Sequence, residues 1–560
     1  MAKMNGWQAI VRGLEAENIP VVFGMPGSAK HLYDQLYDSE KVRSVMVRHE
    51  TSGVYMAMAW ARIRNEPSVC FGSPGPGVAN LVPGVLEAYS GCTPMLVLGV
   101  RAATKTYGMG AFQETDHVGM MTPITKWAAT IERTDRTDWY LRRALSIATT
   151  GQPGPVYLEF PADLALQDAD FGDYIPSVRN LRPAPDPDAV ARAADLIASA
   201  RRPLIVCGGG SVLSGAGQAL TSLIDAYGIP VQTTPAGRGV IGESHPLYTG
   251  MVGLYRTTFP RELYDDADLI ITVGSRMEEF QSGVFTFFPK GAKFIQIEIE
   301  PTEIGRNWVP DVAIQSDASL ALLALRVALA ERGMVRDDER AADIEQRRAA
   351  AIEDARADAM SDDSMPVKGK RIVSEINRVF GDNTILVKEN GGQDLWSYYW
   401  PYYQSFDSNS VVPPAEQTVM GLGVVGAIGA KMAAPDKQVV STTGDGAFQM
   451  AFHELPTAVQ EKAPVTWVVL NDGAFGWPRW TQTTQLEGRY IATEFDPAFD
   501  FIAVAKAAGC DGVRVESTDG LGDALERARR ANADGVPFVV DVPVDQNDHH
   551  AEFYAFHQVR

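Results

Sequence analysis

The chain has 560 residues, a formal net charge of −20 and 21% charged residues, so it is too long for one ordinary core and several domains are expected. An acidic chain with no Lys/Arg run points away from nucleic acid and membrane surfaces and toward small-molecule partners. Cys70, Cys92, Cys207 and Cys510 stand far apart with no CxxC pair, which points away from a disulfide framework or a zinc site and fits a reducing, cytoplasmic compartment.

The first residues carry Trp7, Arg12 and Glu15 where a secretory signal needs a continuous apolar run, and predict an amphipathic helix instead. Next come a strand Val21–Gly24, a helix, a strand Val45–Val47, a helix from Glu50, a strand Ser68–Gly72, a Gly/Pro loop, a helix and a strand Pro94–Val100. This β/α alternation predicts a doubly wound parallel sheet over 1–166. Residues 167–189, rich in Asp and Pro without periodicity, read as a linker. A second β/α block, 190–335, contains "PLIVCGGGS", "ADLIITVGSR" and "AKFIQIEIEP". The charged stretch 336–370 reads as a solvated helix and a flexible turn. A third block spans 371–545, and 546–560 forms a tail. Val419–Ala434 is the most apolar stretch, but its glycines and Lys431 leave it short of the ~20 apolar residues that span a bilayer, so it predicts a buried turn and helix. The expected fold class is α/β, with three doubly wound parallel-sheet domains.

In the third block "QVVSTTGDG" is a β-branched strand broken at Gly444, "AFQMAFHELPTAVQ" is helical, and "PVTWVVL" is a strand ended by "NDG". Ligands of open parallel sheets bind beyond the carboxyl ends of strands, so Asp445 and Asp472 would face one crevice. Two carboxylates there need a cation, and hard oxygen ligands suit Mg²⁺ or Ca²⁺. Gly446 and the helix behind it would supply N–H groups to a diphosphate. From the residues alone, both aspartates serve equally well as turn and cap residues.

Gly444-Asp445-Gly446 followed by Asn471-Asp472 resembles the metal-binding signature of thiamine diphosphate enzymes, many of which have Asn-Asn at the second place; "LNDGAFG" is similar to the form in catabolic acetolactate synthases. The resemblance implies Mg²⁺ on Asp445, Asp472 and the Ala474 carbonyl, with Gly446, Ala447 and Phe448 at the diphosphate. "RHETSGVYMAMAWAR" resembles the segment whose glutamate, here Glu50, binds N1′ of the aminopyrimidine and favours the imino tautomer that acts as base; read alone, Glu50 complements a helix dipole. In "TVMGLGVVGAIGAK" the resemblance makes Met420 the wedge beneath the cofactor and the Thr418 carbonyl the acceptor of its 4′-amino group, though a Met there is usually core filler. In "KENGGQDLW", Gly391, Gly392 and Gln393 resemble the loop on the other side of the diphosphate.

The resemblance covers nearly the whole chain and is closest to the acetolactate synthase-like branch. It implies pyrimidine-binding, central and diphosphate-binding domains. The central block resembles the domain that holds FAD in some members and ADP in others. "VGSRMEEFQSG" keeps Arg276 but departs from the flavin-type pattern, and Gly208-Gly209-Gly210 alone is weak evidence, so FAD or ADP stays open.

For substrate, "GAFQETDHVG" puts Phe112 and Gln113 where acetolactate synthases have a Phe-Gln pair, and "FGMPGSAKHLYDQL" puts Ser28 and Ala29 where benzoylformate decarboxylase has a catalytic serine; Ser28 equally caps the next helix. Trp477, Arg479, Trp480 and Gln482 lie past the metal loop, where the tryptophans would narrow a pocket and Arg479 would receive a carboxylate. His549 and His550 sit in an aromatic tail that reads as exposed or as a closing lid.

The activity implied is that of a carboligase on 2-keto acids. The alternatives on the same fold are a benzoin-type or 2-hydroxyacyl-CoA lyase, since "MTPITKWA" is similar to benzaldehyde lyase, and a 2-keto acid decarboxylase. From another class comes an inactive nucleotide-binding homologue. Substrates would be 2-keto acids, aldehydes or acyl-CoA. In the family, Glu50 of one subunit meets the Asp445 loop of another, which implies a homodimer or homotetramer.

Overall fold

A computed structural model describes residues 2–27 and 30–554 of the chain. Runs of Val, Ile and Leu too apolar for an exposed face become strands covered on both sides by helices, as parallel sheets require. The first domain holds β1 Ala2–Asn5, β2 Val21–Gly24, β3 Arg43–Met46, β4 Ser68–Gly72, β5 Met95–Arg101, β6 Trp127–Thr130, β7 Pro155–Pro161 and β8 Asp168–Phe171. The central domain holds β9 Pro203–Cys207, β10 Val231–Thr233, β11 Tyr248–Met251, β12 Leu269–Val273, β13 Lys293–Glu298 and β14 Val312–Gln315. The third holds β15 Thr384–Lys388, β16 Val411–Val412, β17 Gln438–Gly444, β18 Thr466–Asn471, β19 Asp511–Arg514 and β20 Phe538–Pro543.

Each domain carries a six-stranded sheet, ordered β3-β2-β4-β5-β7-β6, β11-β10-β9-β12-β13-β14 and β16-β15-β17-β18-β20-β19. Every strand pair within the three sheets is parallel. In the third sheet the strand order reverses between β15 and β17, which opens a crevice beyond their carboxyl ends.

One stretch departs from the sequence reading. Within 167–189, expected to be structureless, β8 pairs antiparallel with β1, Ala2 opposite Phe171 and Asn5 opposite Asp168. The pairing is made across the whole first domain, so no local pattern announces it. The charged stretch does form a helix, Asp338–Met360. Among the described residues no helix is long and apolar enough to cross a membrane.

The chain packs as two compact units: Met1–Leu181 with Pro414–Asp436 and Met450–Ala463, and Arg182–Pro413 with Lys437–Gln449 and Pro464–Arg560. In the first unit the helix Leu422–Ala433 lies on the helix Glu50–Arg64 so closely that a Cβ at Gly429 would stand 2.2 Å from the Met56 carbonyl oxygen. Small residues permit this backbone-to-backbone approach. In the second unit, wholly buried Arg238 pairs with Glu243 at 2.6 Å and donates to the Ser397 carbonyl at 2.6 Å, joining the central and third domains.

The turn before Leu422 is held by Glu87, buried in the helix Pro76–Ser90; its carboxylate accepts the Ala415 N–H at 2.6 Å. Burial pushes this carboxyl up from 4.5 to about 7, against the opposing pull of the Ala415 and Val419 N–H groups.

Two consequences are measurable. Gly429→Ala forces the two helices apart and should cost about 3 kcal/mol, read as a lower Tm; an unchanged Tm would show that the backbones do not touch. Because Glu87 holds its proton more tightly folded than unfolded, stability falls as pH rises from 4.5 to about 7 and stays reduced above that. Glu87→Gln keeps an acceptor for Ala415 without the charge, so its stability relative to wild type should grow by up to about 3 kcal/mol between pH 4.5 and pH 8. A difference that does not change with pH would rule out a buried charge at Glu87.

Candidate active site

In the second unit, β17 and β18 are neighbours with Gly444 opposite Leu470, so Asp445 and Asp472 leave adjacent strand ends side by side. Asp445 is 2% exposed. One of its oxygens accepts the Gly446 N–H and the other the Gly473 N–H, each at 2.8 Å. Asp472 is half-buried and accepts the Ala474 N–H at 3.2 Å. Burial first, then the charge of Asp472, pushes the Asp445 carboxyl up to about 8; burial pushes Asp472 up to about 6. Two carboxyls that resist ionising beside one another form an oxygen donor set suited to a hard divalent cation. Ala474 lies between two backbone bonds, Phe475 N–H to Thr493 O and Phe495 N–H to Gly473 O.

Around the pair the backbone is bare. A Cβ at Gly391, Gly444 or Gly473 would meet nothing within 4 Å, whereas one at Gly446 would strike the Phe475 ring at 2.8 Å. Ala447 and Phe448 are buried, and the Phe448 ring sits edge-on to Phe501, so they face the site with backbone. The open glycine edges and the acidic pair together fit a metal-diphosphate group. Beside them the Gln393 side chain donates to the Gln546 carbonyl at 2.9 Å, and Gln546 donates to the Asp472 carbonyl. Beneath the Gly391 loop lies Lys388, wholly buried, 3.4 Å from Asp394 and bonded to the Ser397 hydroxyl. The sequence reading did not single out this pair; a Lys inside an apolar strand was its one signal.

The tail is packed rather than loose up to Tyr554. His549 stacks on Phe553 at 4.4 Å and His550 on Tyr399 at 4.5 Å. Burial pushes His550 down to about 4, so it is neutral at physiological pH. Trp480 is buried, edge-on to Phe553 at 4.8 Å, and Trp477 meets the same ring at 5.2 Å. Arg479 pairs with Glu494 at 3.0 Å and covers the Tyr490 ring. Gln482 caps Ile491 and Thr493.

In the first unit, Glu50 opens its helix and is 3% exposed, which a purely dipole-complementing Glu would not need to be. Its carboxylate accepts from the Asn80 amide at 3.0 Å, and a Cβ at Gly77 would come within 3.1 Å of it. The Arg48 and His49 N–H groups before it are held by Glu454 at 2.8 and 3.1 Å. Thr418 has φ +47°, a left-handed conformation rare outside glycine. Met420 is 40% exposed, so it is not core filler. Phe112 is 83% exposed, and Gln113, half-buried, has φ +57°. Ser28 and Ala29 lie outside the described residues.

At the central sheet's crevice, the Gly208 N–H bonds the Val273 carbonyl and the Gly210 N–H the Gly274 carbonyl. These two amides are taken up within the protein, and Arg276 lies on Glu278 at 3.2 Å.

Residues 4–120 match the N-terminal TPP binding domain of thiamine pyrophosphate enzymes, 190–325 their central domain and 394–542 their C-terminal TPP binding domain. A probable acetolactate synthase large subunit of Methanococcus aeolicus is 35% identical over 97% of this chain and 92% of its own length. The probable large subunit of Methanocaldococcus jannaschii is 33% identical, covering 97% of this chain and 92% of its own length. The acetolactate synthase large subunit of Corynebacterium glutamicum is 32% identical, covering 97% and 87%. The chain therefore belongs to the thiamine pyrophosphate enzymes, and is a thiamine diphosphate-dependent enzyme of the transferase or lyase kind.

Proposed function

We propose that the chain is an acetolactate synthase-like carboligase that uses Mg²⁺ and joins 2-keto acid units. The observation that carries the reading is the buried Asp445–Asp472 pair at adjacent strand ends, flanked by bare glycine backbone. When bound, thiamine diphosphate supplies the electron sink that lets a 2-keto acid lose CO₂ and pass on its acyl unit.

The chain's residues do the rest. Asp445, Asp472 and the Ala474 carbonyl offer oxygens to Mg²⁺. Gly391, Gly392 and Gln393 on one side and Gly446–Phe448 on the other offer backbone to the diphosphate. Glu50, desolvated and steadied by Asn80, would share a proton with the aminopyrimidine N1′ of the bound cofactor. The Thr418 carbonyl would accept from its 4′-amino group, and half-exposed Met420 would pack against it. Phe112 and Gln113 face the substrates, with Gln113 orienting the acceptor carbonyl. Trp477 and Trp480 keep water out. Glu50 comes from one subunit and the Asp445 loop from another, so the working unit is a homodimer or homotetramer, placed in the cytoplasm.

A second reading is favoured by one contact. Arg479 is engaged by Glu494, which leaves it less suited to a donor carboxylate and favours a lyase acting on an aldehyde-derived or acyl-CoA substrate.

Purified protein given Mg²⁺, thiamine diphosphate and pyruvate should form acetolactate in excess over acetaldehyde by mass spectrometry; neither product, despite bound cofactor, would move the assignment to the lyase. Glu50→Gln should lower kcat by about 10²–10⁴-fold with an unchanged circular dichroism spectrum. Asp445→Ala should abolish Mg²⁺-dependent cofactor binding in calorimetry, and binding retained at wild-type strength would remove Asp445 from the metal site.

A further inference from the structure

We propose that His117 is a positioning residue that clamps the turn at Gly75 against Gln113, and thereby fixes Gln113 for the acceptor carbonyl. The proposal rests on the reading of Gln113 given above. His117 opens the short helix His117–Met121, four residues after Gln113, and its ring is wholly buried in the first domain.

The ring's two nitrogens have different partners. Nε2 accepts the Gly75 N–H at 2.9 Å. A nitrogen that accepts carries no proton, so in the neutral ring the proton sits on Nδ1, which donates to Glu159 at 3.1 Å; the tautomer is assigned from this network. Glu159, 3% exposed at the end of β7, is itself held. The Thr130 hydroxyl donates to it at 2.7 Å and the Tyr157 hydroxyl at 3.3 Å, and Arg101 lies at 3.5 Å. Arg101 is covered in turn by the Tyr107 ring at 3.8 Å. A buried carboxylate so surrounded fixes both the orientation and the tautomer of the imidazole, the role an orienting acid plays beside other functional histidines.

The far end of the clamp is Gly75. Its φ is +64°, and a Cβ there would lie 3.0 Å from Gln113 Cβ and 3.2 Å from the Gln113 carbonyl oxygen. Only a glycine at this turn leaves room for Gln113 to lie so close, and Gln113 beside it takes a left-handed φ of +57°. The loop leading to Gln113 is tied at its start, where the Thr104 N–H donates to Asp163 at 2.8 Å and the Tyr107 ring covers Arg101, and is open further on. Gly108 and Gly110 have positive φ and open space around them, and Met109 and Phe112 are 77% and 83% exposed. Glu114 ties the loop only to itself, accepting from Gly108 and Ala111. After Gln113, His117 fastens the loop to the sheet, through Glu159, and to the Gly75 turn.

The test separates the clamp from the reaction. H117N keeps a donor for Glu159 but offers Gly75 nothing; H117Q reaches far enough to accept the Gly75 N–H again; H117L gives the same loss should H117N not fold. Amide exchange followed by mass spectrometry should be about tenfold faster at Gly75 in H117N and restored toward wild type in H117Q. With pyruvate, Mg²⁺ and thiamine diphosphate, H117N should shift the ratio of acetolactate to acetaldehyde about tenfold toward acetaldehyde. Cofactor affinity by calorimetry should not change, and H117Q should recover most of the ratio. Wild-type exchange at Gly75 in H117N overturns the clamp. Faster exchange with an unchanged product ratio overturns the positioning role. A wild-type enzyme that makes no acetolactate overturns the carboligase reading and the acceptor role with it, while faster exchange in H117N still establishes the clamp.

Discussion

Two carboxylates forced together at the ends of β17 and β18 set the terms for the second unit. Parallel strands in register deliver them to one place, and burial makes both reluctant to ionise. Left alone, such a pair costs stability; a divalent cation turns the same repulsion into affinity. The neighbouring features follow from that need. Glycines leave the backbone there bare, Gly473 makes the turn that lets its N–H reach Asp445, and the reversal of strand order between β15 and β17 opens a crevice at the strand ends.

The first unit answers a different demand. There a carboxylate is kept almost out of water: Glu50 is the first residue of a buried helix, steadied by Asn80 and approached by the backbone of Gly77. That burial costs free energy unless the carboxylate finds partners. Two loops of the same unit carry a local conformational cost that packing from elsewhere offsets. Thr418 and Gln113, both with positive φ, belong to loops held from outside, by Glu87 and by the Gly75 turn respectively.

Much of this was legible in the sequence because its cause is local. Clusters of β-branched residues ended by glycine mark strands, and Asp beside Gly after a strand marks a turn at its carboxyl end, so the three sheets and the meeting of Asp445 with Asp472 at adjacent strand ends could be read directly, whereas Glu50 was marked only by a resemblance. What stayed hidden depends on partners far apart in the chain. β8 is a strand only because β1 lies beside it. Glu159 is an acid in an apolar strand, but its partner His117 is 42 residues away, so no local pattern announces the pair. Arg479 looked available until Glu494 was seen to meet it. The helix Leu422–Ala433 is apolar all round, so its sequence could announce burial but not that Gly429 would rest on Met56.

The bond from Gln546 to the Asp472 carbonyl, with Gln393 bound to the Gln546 carbonyl, makes one residue a rivet between two loops. Gln546 uses its side chain toward the acidic strand end and its backbone carbonyl toward the glycine loop. A displacement of either loop is therefore passed to the other through a single residue, and the two edges of the crevice move as one.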